Sequence, residues 1–340
     1  MRVLFVKQSS NNERITDFLL TLKKKGWETF THDKLENIDW NYYNFIIFEY
    51  SNSTYINKFE IDVLNFTGKI SFAVLTDDGV FEYEELKDTI LDRLDCWIVL
   101  QANENSFSER EYEYKEKLVY IPRFTHPNLM SCVKEPLYEK KINKIVFIGR
   151  STGGYAFNGK NYRVEGLKKI YNNSFLRNNF WGVLSDNNIL DSEYQDEEYN
   201  STFVYADREF WLSQEQWQQL LCNNTLNLAI MGHTKFGYRQ PLCLATKNVM
   251  VGTFDFRLDP YAWLFSEHFK DISYQVKEDF SDFEDVLTES LLNKEKTREY
   301  AYRGYDLYKT YYELNPDWSY RDNVWKVVEE QFNRIGIEFY

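Results

Sequence analysis

A four-residue apolar run in mid-chain, Ile145-Val146-Phe147-Ile148, ends in Gly149-Arg150-Ser151-Thr152-Gly153-Gly154, and Asn161-Tyr162-Arg163 then opens a helix. Apolar strand, glycine-rich turn and helix in that order are the start of a strand–helix–strand unit, which demands a parallel sheet covered on both faces. The unit begins near residue 144 of 340, so it opens a second domain. A turn of this kind aims backbone N–H groups and a helix N-terminus at an anion. The turn does not match G-x-G-x-x-G and lacks the G-K-[ST] ending of a P-loop, which argues against a dinucleotide dehydrogenase and a P-loop NTPase.

The residues before it repeat the same alternation. Apolar runs at 3–6, 45–48, 70–75, 97–100 and 118–121 read as buried strands, and helical spacing at 15–22, 61–66 and 86–94 places helices between them. After residue 144, strands are expected at 145–148, 180–184, 226–230, 249–251 and 272–276. Ser213-Gln214-Glu215-Gln216 makes a capping box for a helix carrying Trp217, Leu220 and Leu221. Three of the six prolines (Pro122, Pro127, Pro136) fall near one aperiodic stretch. The expected organisation is an α/β domain over 1–125, a linker over 126–143, a second α/β domain over 144–314, and a C-terminal helix over 315–340. The apolar face of that helix (Val324, Trp325, Val328, Phe332, Ile335) either joins its own domain or crosses back to brace the first.

The four cysteines (Cys96, Cys132, Cys222, Cys243) are scattered without metal-ligand spacing, so a zinc site or disulfide framework is not expected. No secretory leader or membrane-length apolar run is seen, and a cytoplasmic location is expected. The net charge of −13 argues against a protein that simply coats nucleic acid. Between Lys134 and Arg177, however, ten basic residues face three acidic ones, a local +7 suited to phosphates. For most of these lysines a solvated helix face is the plainer explanation. Aromatic residues make up 18% of the chain, enough for stacking surfaces as well as cores.

Ligands of open parallel sheets bind at the carboxyl ends of strands, so candidate residues were sought there. Thr76-Asp77-Asp78 follows the third run. Its carboxylates either cap a helix or face a cleft, where one would act as a general base. Glu49 and Gln101 end neighbouring strands. In the second domain Gly149, Arg150, Ser151 and Arg163 cluster around the glycine turn. Ile230-Met231-Gly232-His233 ends a later strand, and Arg239 opens the helix beyond it. His233 is either a cleft or a turn residue, and Arg239 is the natural second phosphate ligand. Asp279, Asp282 and Asp285 lie at helical spacing near a helix start, where carboxylates suit the dipole. No metal-binding motif and no serine-hydrolase elbow is present.

These segments resemble the GT-B glycosyltransferases, and in particular the phage DNA β-glucosyltransferase family. Lys69-Ile70-Ser71-Phe72-Ala73-Val74-Leu75-Thr76-Asp77 resembles the family strand that ends in Thr-Asp, whose aspartate is the catalytic base; the resemblance carries that role to Asp77. Ile148-Gly149-Arg150-Ser151 is similar to the donor loop, and Arg163 and Arg239 resemble its diphosphate arginines. The pattern breaks at Leu242, where the family places a ribose-binding glutamate. Asp259-Pro260-Tyr261-Ala262-Trp263 also resembles exostosin-type and capsule-type glycosyltransferases. The resemblance implies two Rossmann-like domains facing across a cleft and an inverting transfer from a nucleotide-diphosphate sugar, a UDP-sugar, to an acceptor hydroxyl. It implies no tightly bound cofactor, and it leaves a divalent metal open, with no protein site for one. The acceptor is either a hydroxylated or hydroxymethylated pyrimidine of phage DNA or a glycan. A non-catalytic nucleotide-sugar binding protein and an epimerase are the alternatives of a different class.

Overall fold

Apolar runs of four to six residues can satisfy their backbone only by pairing edge to edge. In the computed structural model they do so in two six-stranded sheets, every pairing parallel. The structure describes residues 2–6, 26–32, 39–50, 71–76, 92–93, 95–100, 115–121, 137–149, 162–184, 203–205, 214–230, 239–253, 271–277, 279–309 and 329–337. The chain divides into two units: Met1–His126 with Asp259–Tyr261 and Asn315–Tyr340, and Pro127–Leu258 with Ala262–Leu314.

The first sheet contains β1 (Arg2–Val6), β2 (Glu28–His32), β3 (Phe45–Tyr50), β4 (Ser71–Thr76), β5 (Cys96–Leu100) and β6 (Leu118–Ile121), ordered β2-β1-β3-β4-β5-β6. Successive side chains on a strand point to opposite faces. The consecutive residues Val3, Leu4 and Phe5 are all fully buried, so both faces of this sheet are covered. Residues 329–334 are helical, and Phe332 on that helix meets Phe45 edge to face at 6.1 Å between ring centroids. The helices expected at 15–22 and 61–66 lie outside the described residues, as does most of the one at 86–94.

The second sheet contains β7 (Ile142–Gly149), β8 (Phe180–Leu184), β9 (Phe203–Tyr205), β10 (Asn224–Ala229), β11 (Val249–Gly252) and β12 (Ser273–Gln275), ordered β12-β11-β10-β7-β8-β9. Its helices are α1 (Tyr162–Asn172), α2 (Ser174–Asn178), α3 (Gln214–Asn223), α4 (Arg239–Ala245), α5 (Phe283–Leu292) and α6 (Lys294–Leu307). One continuous core joins Ile145 and Phe147 of β7, Leu226 and Leu228 of β10, Leu167 and Ile170 of α1, and Leu287 and Leu291 of α5. Two strands, β2 and β9, were not expected from the sequence. Each pairs on one side only, and such edge strands do not need the unbroken apolar run of a central one. Strand β7 also starts three residues earlier than expected, because Ile142 pairs with Asn224 across an irregularity in the β7–β10 register.

Helix α3 runs into β10 with no intervening residue. Its last carbonyls are therefore held against the sheet and need donors. Lys141 supplies them: its Nζ donates to the carbonyls of Leu221 (2.8 Å), Cys222 (2.7 Å) and Asn224 (3.0 Å). Asn248 Nδ2 adds bonds to Leu221 O (3.3 Å) and Asn224 O (2.9 Å). An ammonium at a helix C-terminus complements the dipole, but burial pushes the pKa of Lys141 down to about 8. Lys141→Met leaves the Cys222 carbonyl without this donor and is expected to cost about 1–3 kcal/mol of stability. Lys141 titrates near 8 in the folded state, against an ordinary 10.5. The unfolded state therefore holds more proton between those values, and the wild type gains stability from this group as pH rises. The deficit of the variant, followed by urea unfolding, should widen from pH 8 to 10.5.

Candidate functional site

A parallel sheet sends the carboxyl ends of all its strands to one edge. A crevice opens there where consecutive crossovers leave in opposite directions. In the second sheet the chain leaves β7 toward β8 and β9, then crosses to the other side of β7 to form β10. The reversal lies between β7 and β10. In the first sheet the corresponding reversal lies between β1 and β3, with β4 next to β3.

The second-unit candidates gather at this reversal. Gly149 is the last residue of β7, Arg163 the second residue of α1, and Arg239 the first residue of α4. Thus both helices that follow the two strands flanking the reversal carry an arginine within their first two residues. Arg163 is half-buried, with its Nε out of contact with solvent. Helix α1 has 11 residues, long enough for its N-terminal N–H groups to carry an appreciable partial positive charge beside that guanidinium. Arg150 and Ser151, which follow β7, and His233, which lies between β10 and α4, are outside the described residues.

In the first unit Asp77 and Asp78 follow the last residue of β4, and Gln101 the last of β5; all three lie outside the described residues. Glu49 does not end its strand. β3 continues to Tyr50, and Glu49 is paired in register with Leu75 of β4. The reason is that β4 itself runs to Thr76 and offers two further partners beyond the apolar run.

The acidic trio lies at the start of α5, as expected, with Asp282 at the N-cap and Asp285 in the first turn. Only Asp285 is inside the helix, which begins at Phe283. Asp279 Oδ1 accepts from the Ser281 N–H at 2.9 Å, and Asp282 Oδ1 from the Lys277 N–H at 2.9 Å. Hydrogen bonding from Ser281 lowers the pKa of the Asp279 carboxyl. Among the described residues no group of three or more His, Cys, Asp or Glu could hold a metal ion. Among them, too, no helix is long and apolar enough to cross a membrane.

Two glycines that sequence reasoning passed over shape this edge. Gly252 ends β11 with φ 149°, and a Cβ there would run into the Ala229 carbonyl at the end of β10. The close approach lets the ladder continue past both strands, through Thr253 N to Ala229 O (3.1 Å) and Val276 N to Gly252 O (2.7 Å). On α1, a Cβ at Gly166 would lie 2.5 Å from Ile230 Cδ1. A glycine inside a helical pattern was the available signal, since there it costs stability unless something packs against it. Leu242, one turn along α4 from Arg239, is fully buried.

Set against solved structures, 96% of the chain aligns with 99% of an alpha-glucosyltransferase in complex with UDP and a 13-mer DNA containing a HMU base, at TM-score 0.59 and 12% identity. It also aligns over 99% of its length with all of the DNA-modifying enzyme beta-glucosyltransferase, at TM-score 0.53 and 13% identity. An O-GlcNAc transferase mutant from Thermobaculum terrenum aligns with 98% of the chain over 67% of its own, at TM-score 0.51 and 11% identity. The fold is that of the GT-B glycosyltransferases. At these identities the likeness is one of backbone. No family model matches the chain, and no curated protein sequence does. Within the GT-B fold, Leu242 is a core residue of this chain and offers no polar group to a ligand. Leu242→Ala should cost about 2–5 kcal/mol, the usual price of an emptied core site. Leu242→Glu should cost at least as much and should not raise nucleotide affinity, as thermal unfolding and calorimetry with UDP would reveal.

Proposed function

We propose that this chain is a glycosyltransferase that moves a sugar from a UDP-sugar to an acceptor hydroxyl. One observation carries the reading. The two strands that flank the reversal in the second sheet are each followed by a helix with an arginine in its first two residues, Arg163 or Arg239, in a GT-B fold. The departing group of such a donor is a diphosphate, whose charge grows as the glycosidic bond breaks. Fixed donors aimed at that charge are the largest source of rate enhancement in reactions of this kind. The N–H groups after Gly149, the N-terminus of α1, Arg163 and Arg239 are suited to that task.

The acceptor hydroxyl must lose a proton as it attacks. Asp77, next after β4 in the first unit, is assigned as the base, with Asp78, Glu49 and Gln101 as acceptor-side candidates. In-line attack on an α-linked donor inverts the anomeric carbon and gives a β-linked product. The assigned acceptor is a hydroxylated or hydroxymethylated pyrimidine in DNA. Two of the aligned alpha-glucosyltransferase structures hold DNA with UDP, and this chain has its +7 stretch between Lys134 and Arg177. Reaction on duplex DNA would require the target base to leave the stack. The net charge of −13 favours a second acceptor, a glycan.

Arg163→Ala and Arg239→Ala are each expected to lower kcat by about 10²–10³. Asp77→Asn should abolish transfer while leaving UDP binding intact; undiminished transfer would remove the base assignment. Mass spectrometry of a nucleotide-sugar panel against modified DNA and oligosaccharides should show DNA gaining one sugar. A mass gain on oligosaccharide alone would reassign the acceptor, and conversion of the donor without any acceptor would indicate an epimerase. The anomeric proton coupling of the product reads the stereochemistry.

A further inference from the structure

Phe280 has a backbone φ of 58°, a left-handed conformation that a bulky aromatic residue adopts only where its surroundings impose it. The turn that imposes it is closed by hydrogen bonds. Phe280 N donates to Lys277 O (3.0 Å), and Phe283 N to Phe280 O (3.3 Å). The Asp279 and Asp282 carboxylates, which flank Phe280 in the chain, accept the two bonds described above. The result drives the Phe280 ring into the core, where it is 2% exposed.

There it stacks between two other rings. Tyr162 lies nearly parallel to it at 5.4 Å and 12°, and Phe283 at 4.9 Å and 20°. Tyr162 is the first residue of α1 and the chain neighbour of Arg163. One turn further along α1, Gly166 meets the same aromatic pair. A Cβ at that position would be 3.1 Å from Phe280 Cε1 and 3.2 Å from Phe283 Cζ, besides its overlap with Ile230 Cδ1. Ile230 directly follows β10 and so stands where the chain departs toward Arg239. The first turns of α1 thus rest on the turn before α5 and on the end of β10.

We propose that Phe280 and Gly166 are positioning residues that fix Arg163 for the diphosphate of a nucleotide donor. The inference rests on the proposed glycosyltransferase reading. Guanidinium–phosphate bonds are directional, so a small displacement of the α1 N-terminus weakens them steeply. A ligand with a single phosphate depends less on the same alignment.

The test is calorimetric affinity for UDP and for UMP in three variants. Gly166→Ala should weaken UDP by about tenfold or more, as expected for a misplaced contact, with UMP little changed. Adding Ile230→Val removes the Cδ1 atom, the nearest of the three that the new methyl meets, and should restore part of the lost UDP affinity. Phe280→Gly keeps the left-handed turn, which glycine adopts freely, removes the ring, and should lower the UDP-to-UMP preference in the same way. Equal losses for both nucleotides, unchanged UDP affinity, or no recovery in the double variant would overturn the proposal. Where Gly166→Ala does not fold, the preference in Phe280→Gly decides. Wild-type protein that binds neither nucleotide would overturn the functional reading together with this one. Wild-type binding with an unmoved preference would overturn this one alone.

Discussion

The crossover that carries the chain from β9 past β7 to β10 constrains everything else in the second unit. It makes β7 and β10 neighbours whose following segments leave in opposite directions. A parallel sheet without such a reversal closes its carboxyl edge with crossovers and leaves no crevice. With it, the starts of α1 and α4 follow the two strands that flank the reversal, and each has an arginine within its first two residues. The packing below serves the same end. Gly252 lets β11 close onto β10, and Gly166 lets α1 close onto Ile230.

Much of this was legible because central parallel strands are buried on both faces. Such strands read as unbroken apolar runs, and β1, β6, β8 and β11 fall within a residue or two of where those runs lie. Strand β2 was hidden because Glu28–His32 carries no such run, and β9 because its apolar stretch, Phe203–Tyr205, is only three residues long. Arg163 and Arg239 were legible as helix openers, since a glycine turn followed by apolar periodicity sets a helix start within a residue or two. Phe280 was not. Its left-handed turn is set by hydrogen bonds to Asp279 and Asp282, residues whose spacing imitates a helix. Lys141 was equally hidden, since its role follows from a helix and a strand that meet with nothing between them.

Leu242 illustrates how one backbone carries different ligand contacts. The position three residues after Arg239 belongs to the core of this unit, so on the proposed glycosyltransferase reading a donor's ribose is not held from there. On that reading, the contacts that the described residues offer a donor are those of Arg163 and the start of α1 with its diphosphate. They are electrostatic, and they are strongest where water is excluded, as around the buried Nε of Arg163. A local excess of basic residues within a chain of net charge −13 fits a protein that draws phosphate to one place while repelling it elsewhere.

The most direct measurement is a crystal structure of the protein with UDP. The account predicts the diphosphate at the carboxyl edge of the second sheet, between the ends of β7 and β10, with Arg163 in hydrogen-bond contact with a phosphate oxygen. A diphosphate bound away from that edge, or held without Arg163, would contradict it.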